Sequence, residues 1–186
     1  MSTVSTARTV GRVTIEALQL PRDVARLHAW VTHPKAVYWG MQGATVHDVA
    51  TEYALIDEDP HHDAWLGRVD GEPAFLVETY DPFHSELAAL PELRTGDLGM
   101  HLLVAPAESP VPGFSRAVFR RVMEHCFADA DVRRVVVEPD VHNERIATLN
   151  TEAGFDVVRT VRLRTKEAAL SFCSRASWKR SDLCTR

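Results

Sequence analysis

The chain predicts an α/β domain in which a mixed central sheet carries helices on both faces. Three stretches predict it. Residues 96–106 read Gly-Asp-Leu-Gly-Met-His-Leu-Leu-Val-Ala-Pro. As a strand they put Leu98, Met100, Leu102 and Val104 on one face, because strand side chains alternate. Asp70-Gly71 joins two earlier strand-like runs as a tight hairpin. After residue 106 the pattern becomes helix, strand, helix, strand, the order that makes parallel neighbours by crossover. A hairpin first and β-α-β afterwards give one sheet of both senses, covered on both sides.

Weak alternation over 10–20 marks a first strand. Pro21 suits a first helical turn, and Val24, Leu27, His28 and Val31 then recur at helical spacing. His33-Pro34 ends that helix, since the residue before a proline avoids the α region. Tyr38-Trp39-Gly40-Met41 follows in a loop. It reads first as a plug over the core and second as the lining of a pocket. Thr45 with Asp48 resembles an N-cap pair ahead of Val46, Val49, Tyr53 and Ile56, and Asp57-Glu58-Asp59-Pro60 stops that helix. Residues 61–69 and 73–80 are the hairpin strands. Residues 81–94 form a long, acidic, proline-containing connection into the central strand. Past a turn, Phe114, Ala117, Val118, Val122, His125 and Cys126 mark one face of a helix. Residues 133–138 are a short apolar strand ended by Pro139. Residues 143–153 are a helix closed by the C-cap glycine Gly154, and 155–164 a final strand. Residues 166–170 read as a short helical turn and 171–186 as a loose polar tail. The domain is therefore expected over 10–170, between that tail and a disordered 1–9.

At 186 residues the chain can bury a full core. A net charge of −5 argues against sequence-independent nucleic-acid binding. No apolar run is long enough to span a bilayer, and the Ser/Thr-rich first residues lack the apolar core of a secretion signal. Cys126, Cys173 and Cys184 are odd in number and have no metal spacing, which fits a reducing cytoplasm. His61-His62-Asp63 is the one tempting metal cluster, but strand neighbours point to opposite faces. No metal site is expected, and His47, His61, His62 and His84 receive no role.

The second face of the central strand carries Asp97, Gly99, His101 and Leu103. A buried strand has little use for Gly-x-His unless something must come close to the backbone there. The turn and open helix start that follow, with Gly113, Ser115 and Arg116, make a cradle for an anion. His101 titrates near neutrality and would serve as a base; a hydrogen-bonded core histidine is the other reading. Asp140 is either a turn or capping residue ahead of Asn143, or a carboxylate that orients His101, binds an ammonium or takes a proton itself. Glu138 alternates with Val136, which points it to the sheet's other side in a supporting role.

Gly99-Met100-His101-Leu102-Leu103, Val137-Glu138-Pro139-Asp140, Asn143 and Gly154-Phe155 occur in an order and spacing that resemble the GCN5-related N-acetyltransferases. Within that superfamily they are similar to the siderophore-biosynthesis acyltransferases of the aerobactin and mycobactin type, which acylate N-hydroxylated amines. His33-Pro34, Trp39-Gly40-Met41, Asp70-Gly71-Glu72-Pro73 and Phe75-x-Val77-Glu78-x-Tyr80 match the same pattern, so the resemblance runs from Leu27 to Leu170. The compact form, without a long N-terminal extension, most resembles the desferrioxamine type.

That resemblance implies an acyl-CoA N-acyltransferase making a hydroxamate from an N-hydroxycadaverine-like diamine, with acetyl-CoA or succinyl-CoA as co-substrate and no metal. N6-hydroxylysine or an unhydroxylated amine is the alternative acceptor, and a non-catalytic acyl-CoA-binding domain the alternative from another class. An amine monooxygenase upstream and a siderophore synthetase downstream are the implied neighbours. His101 matches the family's motif histidine and Asp140 its functional carboxylate, so these two carry the expected catalysis. The acyl-CoA would lie along Leu103 and Val104, where the central parallel strands splay, with a backbone N–H of residues 102–104 facing the oxyanion. The family's phosphate loop has closely spaced glycines, whereas here only Gly113 is present. Pyrophosphate binding would then rest on the N–H groups of Gly113, Phe114, Ser115 and Arg116 and on the helix dipole. Asn143 is the expected pantetheine-side contact. Trp39 and Met41 would wall the substrate's methylene chain, with Glu78 and Asp97 as ammonium partners.

Overall fold

The structure is a computed structural model and describes residues 10–185; the expected disordered segment 1–9 lies outside them. Chain order is β1 (Val13–Ala17), α1 (Val24–Val31), a 3-10 segment (Pro34–Trp39), α2 (Val46–Glu58), β2 (His62–Val69), β3 (Glu72–Tyr80), a short 3-10 turn (Pro82–His84), β4 (Asp97–Val104), α3 (Phe114–Cys126), β5 (Arg134–Val137), α4 (Glu144–Glu152), β6 (Asp156–Arg162), β7 (Glu167–Ser174), α5 (Arg175–Arg180) and α6 (Asp182–Thr185). The strands form one sheet in the order β1-β2-β3-β4-β5-β7-β6. Only β4 and β5 run parallel; the other neighbours are antiparallel.

Local chemistry accounts for the turns and helix starts. The β2–β3 hairpin needs two residues in the left-handed region, and Asp70 (φ 52°) and Gly71 (φ 84°) supply them. Thr45 and Asp48 close a reciprocal capping box, with Asp48 standing where Glu or Gln is usual. On one face of the sheet, Leu27 and Val31 of α1 and Val49, Tyr53 and Ile56 of α2 pack over Leu76. On the other, Val118, Phe119, Val122 and Met123 of α3 pack over Phe75, Val77, Met100 and Val135. Leu76 lies between Phe75 and Val77 in β3, so the two cores divide by strand alternation.

Two expectations at the C-terminal end are corrected. Residues 166–170 are not a helical turn; they open β7, which lies between β5 and β6 with antiparallel pairing to both. The segment 171–186 was expected as a loose tail, and its described residues, 171–185, are not one. Ser171 to Ser174 complete β7, and Trp178 and Leu183 are buried against the α3 face of the sheet. The domain therefore continues through the described residues to 185. Ala168, Ala169 and Leu170 carry no strand preference of their own; long-range pairing decides their state.

The parallel ladder is short. Asp97 to Gly99 pair with Arg134 to Val136 and there it stops, whereas β3 follows β4 as far as Val104. The two central strands thus part beyond Gly99 and leave one edge of β4 open.

Candidate active site

Register places the site. Glu78 of β3 lies opposite His101 of β4, and Tyr80 opposite Gly99. His62 of β2 lies opposite Tyr80, and Val136 of β5 beside Gly99. Residues opposite one another share a face, so His62, Glu78, Tyr80 and His101 gather on the side that carries α1 and α2. Glu138 follows Val136 by two and joins them, which corrects the expectation that it faces away. The alternation was sound; the parallel register, not visible along one strand, makes that face the one His101 occupies.

The approach of another group to the Gly99 backbone is met from within the chain. A Cβ on Gly99 would fall 2.2 Å from Tyr80 Cζ. The Tyr80 ring fills that space, and its hydroxyl donates to Glu138 Oε2 at 3.0 Å.

His101 is held between two carboxylates. Its Nδ1 is 3.1 Å from Glu78 Oε2 and its Nε2 2.6 Å from Glu138 Oε1. The other oxygen of Glu78 accepts from Tyr53 Oη at 3.0 Å. Lys166 Nζ lies 3.7 Å from Glu138, and His62 Nε2 3.7 Å from Glu78. Burial opposes the charge on His101, but Glu138 and Glu78 outweigh it and raise its pKa to about 10. Burial likewise opposes ionisation of Glu78, and His101 and His62 overcome it, bringing it to about 2. Glu138 is also held below the usual carboxylate range, its burial offset by His101, Lys166 and Tyr80. Burial and the adjacent carboxylates push the Tyr53 and Tyr80 phenols up, so both remain donors. His101 is thus an imidazolium at neutral pH with both N–H groups engaged. The expected free base near neutrality is replaced by a fixed positive charge.

This cluster forms the floor of a cleft of about 580 Å³. Trp39, Met41 and Tyr38 line it as the second sequence reading had them, together with Glu52, Glu86, Asn143, Ile146 and Asn150. Trp39 stands edge-on to His101 with ring centres 6.2 Å apart. Leu103 lines the cleft, and Val104 ends β4 past the point where β5 departs. Asn143 caps α4, its Oδ1 accepting from Ile146 N–H at 3.4 Å.

The remaining sequence candidates divide. Asp140 lines the cleft, but its Oδ1 accepts from the backbone N–H of His142 at 2.8 Å and pairs with the His142 ring. It does not orient His101; Glu78 and Glu138 do. The His142 hydrogen bonds hold its carboxyl below the ordinary range, so it is ionised. Asp97 is no ammonium partner: its side chain is 1% exposed and doubly bonded to Arg134 at 2.7 Å. Gly113 starts α3 in the left-handed region without a side-chain cap. Phe114 packs into the core, Ser115 lies in the first turn, and the Arg116 guanidinium is taken by both oxygens of Glu152. These four sit at the helix start, outside the residues that line the cleft.

Tyr53, His62, Tyr80, Lys166 and Asn150 were not singled out for the site. For Tyr80 the signal was present, since it follows Glu78 by two in β3; for His62 it was not, because a register shift at Gly67/Arg68 moves its partner from Thr79, where the turn alone would set it, to Tyr80. Among the described residues one group has metal-ligand chemistry: His61, Asp81 and His84, whose ligand atoms lie within 4.8 Å of one another. It pairs His61 with the loop after β3 rather than with His62 and Asp63. No helix among the described residues is long and apolar enough to cross a membrane.

The family model described as an acetyltransferase (GNAT) domain matches residues 19–163. An N-hydroxyputrescine acetyltransferase of Acinetobacter baumannii is 25% identical over 157 residues, 84% of this chain and 74% of that protein. A hydroxyornithine transacylase of Ajellomyces capsulatus is 29% identical over 151 residues, 80% of this chain but 34% of that longer protein. Among solved structures, an AAC(6')-Ib complex with paromomycin and acetyl-CoA superposes with a TM-score of 0.80 at 24% identity, covering 90% of this chain and 96% of that one.

Proposed function

The chain belongs to the GNAT acetyltransferase family, and we propose that it transfers the acyl group of acetyl-CoA or succinyl-CoA to the hydroxylated nitrogen of an N-hydroxylated diamine, N-hydroxycadaverine or a close analogue. The product is a hydroxamate of the kind assembled into desferrioxamine-type siderophores. The observation that carries this reading is that both ring nitrogens of His101 are engaged by carboxylates, Glu78 and Glu138. An alkylamine enters as an ammonium and must lose a proton before it can attack. An imidazole already protonated, with both nitrogens bonded to carboxylates, cannot take it. A hydroxylamine nitrogen is less basic, because its oxygen withdraws electron density, and it arrives neutral. Such an acceptor matches a site without a free imidazole base. The relatives named for hydroxyputrescine and hydroxyornithine support the same substrate class.

In this reading Trp39 and Met41 wall the methylene chain, and Glu52 and Glu78 attract the distal ammonium. The acyl-CoA enters where β4 and β5 part, its pyrophosphate on the N–H groups that open α3. The nitrogen attacks the thioester carbonyl. Backbone N–H groups of residues 102–104 and the His101 charge stabilise the oxyanion. Ionised Asp140 accepts the nitrogen's proton as the C–N bond forms. The C–S bond then breaks and CoA leaves as the thiol, taking up a proton. No covalent enzyme intermediate is required. The free cysteines and the use of acyl-CoA suit a cytoplasmic reaction, between an amine monooxygenase that supplies the acceptor and a siderophore synthetase that consumes the hydroxamate.

One observation favours a second reading, an ordinary amine acceptor: the fold is shared with a structure bound to an aminoglycoside. CoA release measured with both donors separates the two. Turnover on N-hydroxycadaverine well above that on cadaverine is expected. Equal or faster turnover on cadaverine would overturn the hydroxamate reading and leave an amine acetyltransferase of the same family.

A further inference from the structure

His61, Asp81 and His84 carry metal-ligand chemistry that nothing above uses, and they lie outside the residues that line the cleft. The end of the β2–β3 ladder brings them together. His62 pairs with Tyr80, and one step beyond, the Asp81 N–H donates to the His61 carbonyl at 2.8 Å. The His61 N–H donates to Asp59 Oδ1 at 2.8 Å. Pro82 fixes φ at the start of the 3-10 turn, and the His84 N–H donates back to the Asp81 carbonyl at 3.0 Å. Asp81 Oδ1 accepts from the Phe83 N–H at 2.9 Å. These bonds set all three backbone positions without using either imidazole. The side chains nevertheless converge. The two rings lie parallel, with centres 3.4 Å apart and planes 4° from each other, and His84 Nδ1 is 3.0 Å from Asp81 Oδ2. One donor atom from each residue falls within 4.8 Å of the others. Both rings are exposed, so burial supplies little of the energy that would gather them.

We propose that His61, Asp81 and His84 form a binding site for a divalent transition-metal ion of the zinc type, separate from the acyl-transfer chemistry. Two imidazoles and one carboxylate are a donor set such an ion favours, whereas magnesium and calcium take oxygen. A tetrahedral zinc ion with bonds of about 2.0–2.1 Å holds its ligand atoms about 3.4 Å apart. The ring spacing and the His84–Asp81 separation are already of that size. Closure on an ion therefore needs rotation of exposed side chains on a fixed backbone, not refolding. Asp57, Glu58 and Asp59 precede His61 closely and add negative charge that favours a dication. Three protein donors leave the fourth position to water. The ion ties the start of β2 to the connection that follows β3. Each of these segments carries a cleft-lining residue, His62 next to His61 and Glu86 two beyond His84. The site is placed to stiffen the cleft lining without entering it.

The test is zinc binding, measured by calorimetry on the untagged, metal-stripped full chain for the wild type, His61→Ala, His84→Ala and Asp81→Asn. The last variant keeps an amide oxygen for the Phe83 N–H, so the turn survives while the charged donor is lost. The wild type should bind one zinc ion at this site, and each variant should bind it at least about 10-fold more weakly. Excess zinc should raise the Tm of the wild type and leave the Tm of each variant unmoved. Magnesium should give no binding. A wild type that binds no zinc overturns the proposal. So does zinc affinity retained by two or more of the variants, which would mark adventitious binding to other histidines or cysteines. Magnesium bound as tightly as zinc also overturns it, since oxygen donors would then hold the ion. Should one variant fold poorly, as its metal-free Tm would show, the other two decide. None of these outcomes depends on whether the acyl-CoA reading holds.

Discussion

His101 shows how far a side chain's chemistry depends on what faces it. In isolation an imidazole titrates near neutrality; between Glu78 and Glu138 it is a cation across the physiological range. The consequence is measurable. Followed by NMR, the His101 ring should stay imidazolium-like through its ordinary value of 6.5 and titrate only toward about 10. A midpoint near 6.5 would restore the free base. Glu138→Gln removes one of the two carboxylates, so it should move the midpoint down. The same shifts set stability. The raised pKa of His101 contributes fully below 6.5 and is lost as pH climbs toward about 10. The depressed pKa of Glu78 contributes above 4.5 and is lost as pH falls toward about 2. Urea midpoints should therefore peak between 4.5 and 6.5 and decline on both sides. His101→Gln should flatten the alkaline decline.

Strands explain which parts of this cluster were legible. His101, Glu78 and the Asp70-Gly71 hairpin could be read along the chain, because alternation and turn chemistry are local. Glu138 could not. Its face was read correctly relative to Val136, but which neighbour that face meets depends on a parallel register between residues far apart in sequence. Gly99 was legible as a place of close approach, yet the approaching group is Tyr80 rather than a ligand. That makes Gly99 a sharp test of the element. Gly99→Ala puts a methyl into the Tyr80 ring, and overpacking of this kind costs about 1–3 kcal/mol. The ring must move to admit it, which lengthens the Tyr80–Glu138 hydrogen bond. Denaturant titration should show that loss, with reduced turnover. Unchanged stability would mean that the ring does not occupy the space. Asp97, on the same face and equally polar, went the other way, because Arg134 lies across from it in the adjacent strand.

At the scale of the whole molecule, the last residues complete the sheet on which the site is built. Their polar composition hid this: Ser171, Ser174, Ser177 and Ser181 read as a tail, although Ser174 caps α5 and Ser181 closes it. The buried groups between them are few but large. Trp178 is 5% exposed and packs in the same cluster as Phe119, Phe155 and Leu183. β7 separates β5 from β6, so Val135, Val136 and Val137, and Glu138 just beyond them, depend on it for one edge of their strand. Trp178→Ala, outside the residues that line the cleft, should cost about 3–5 kcal/mol, a large share of the roughly 5–15 kcal/mol that stabilises an ordinary domain. Ending the chain after Lys166 should go further. It deletes the strand that holds β5 in place, and with it the support for Glu138 and the charge on His101. Far-UV circular dichroism and acetyl-CoA calorimetry on the shortened chain should show lost structure and lost binding together. A shortened chain that folds and still binds would make these residues dispensable, and the position of Glu138 would then have to be fixed by β4 alone.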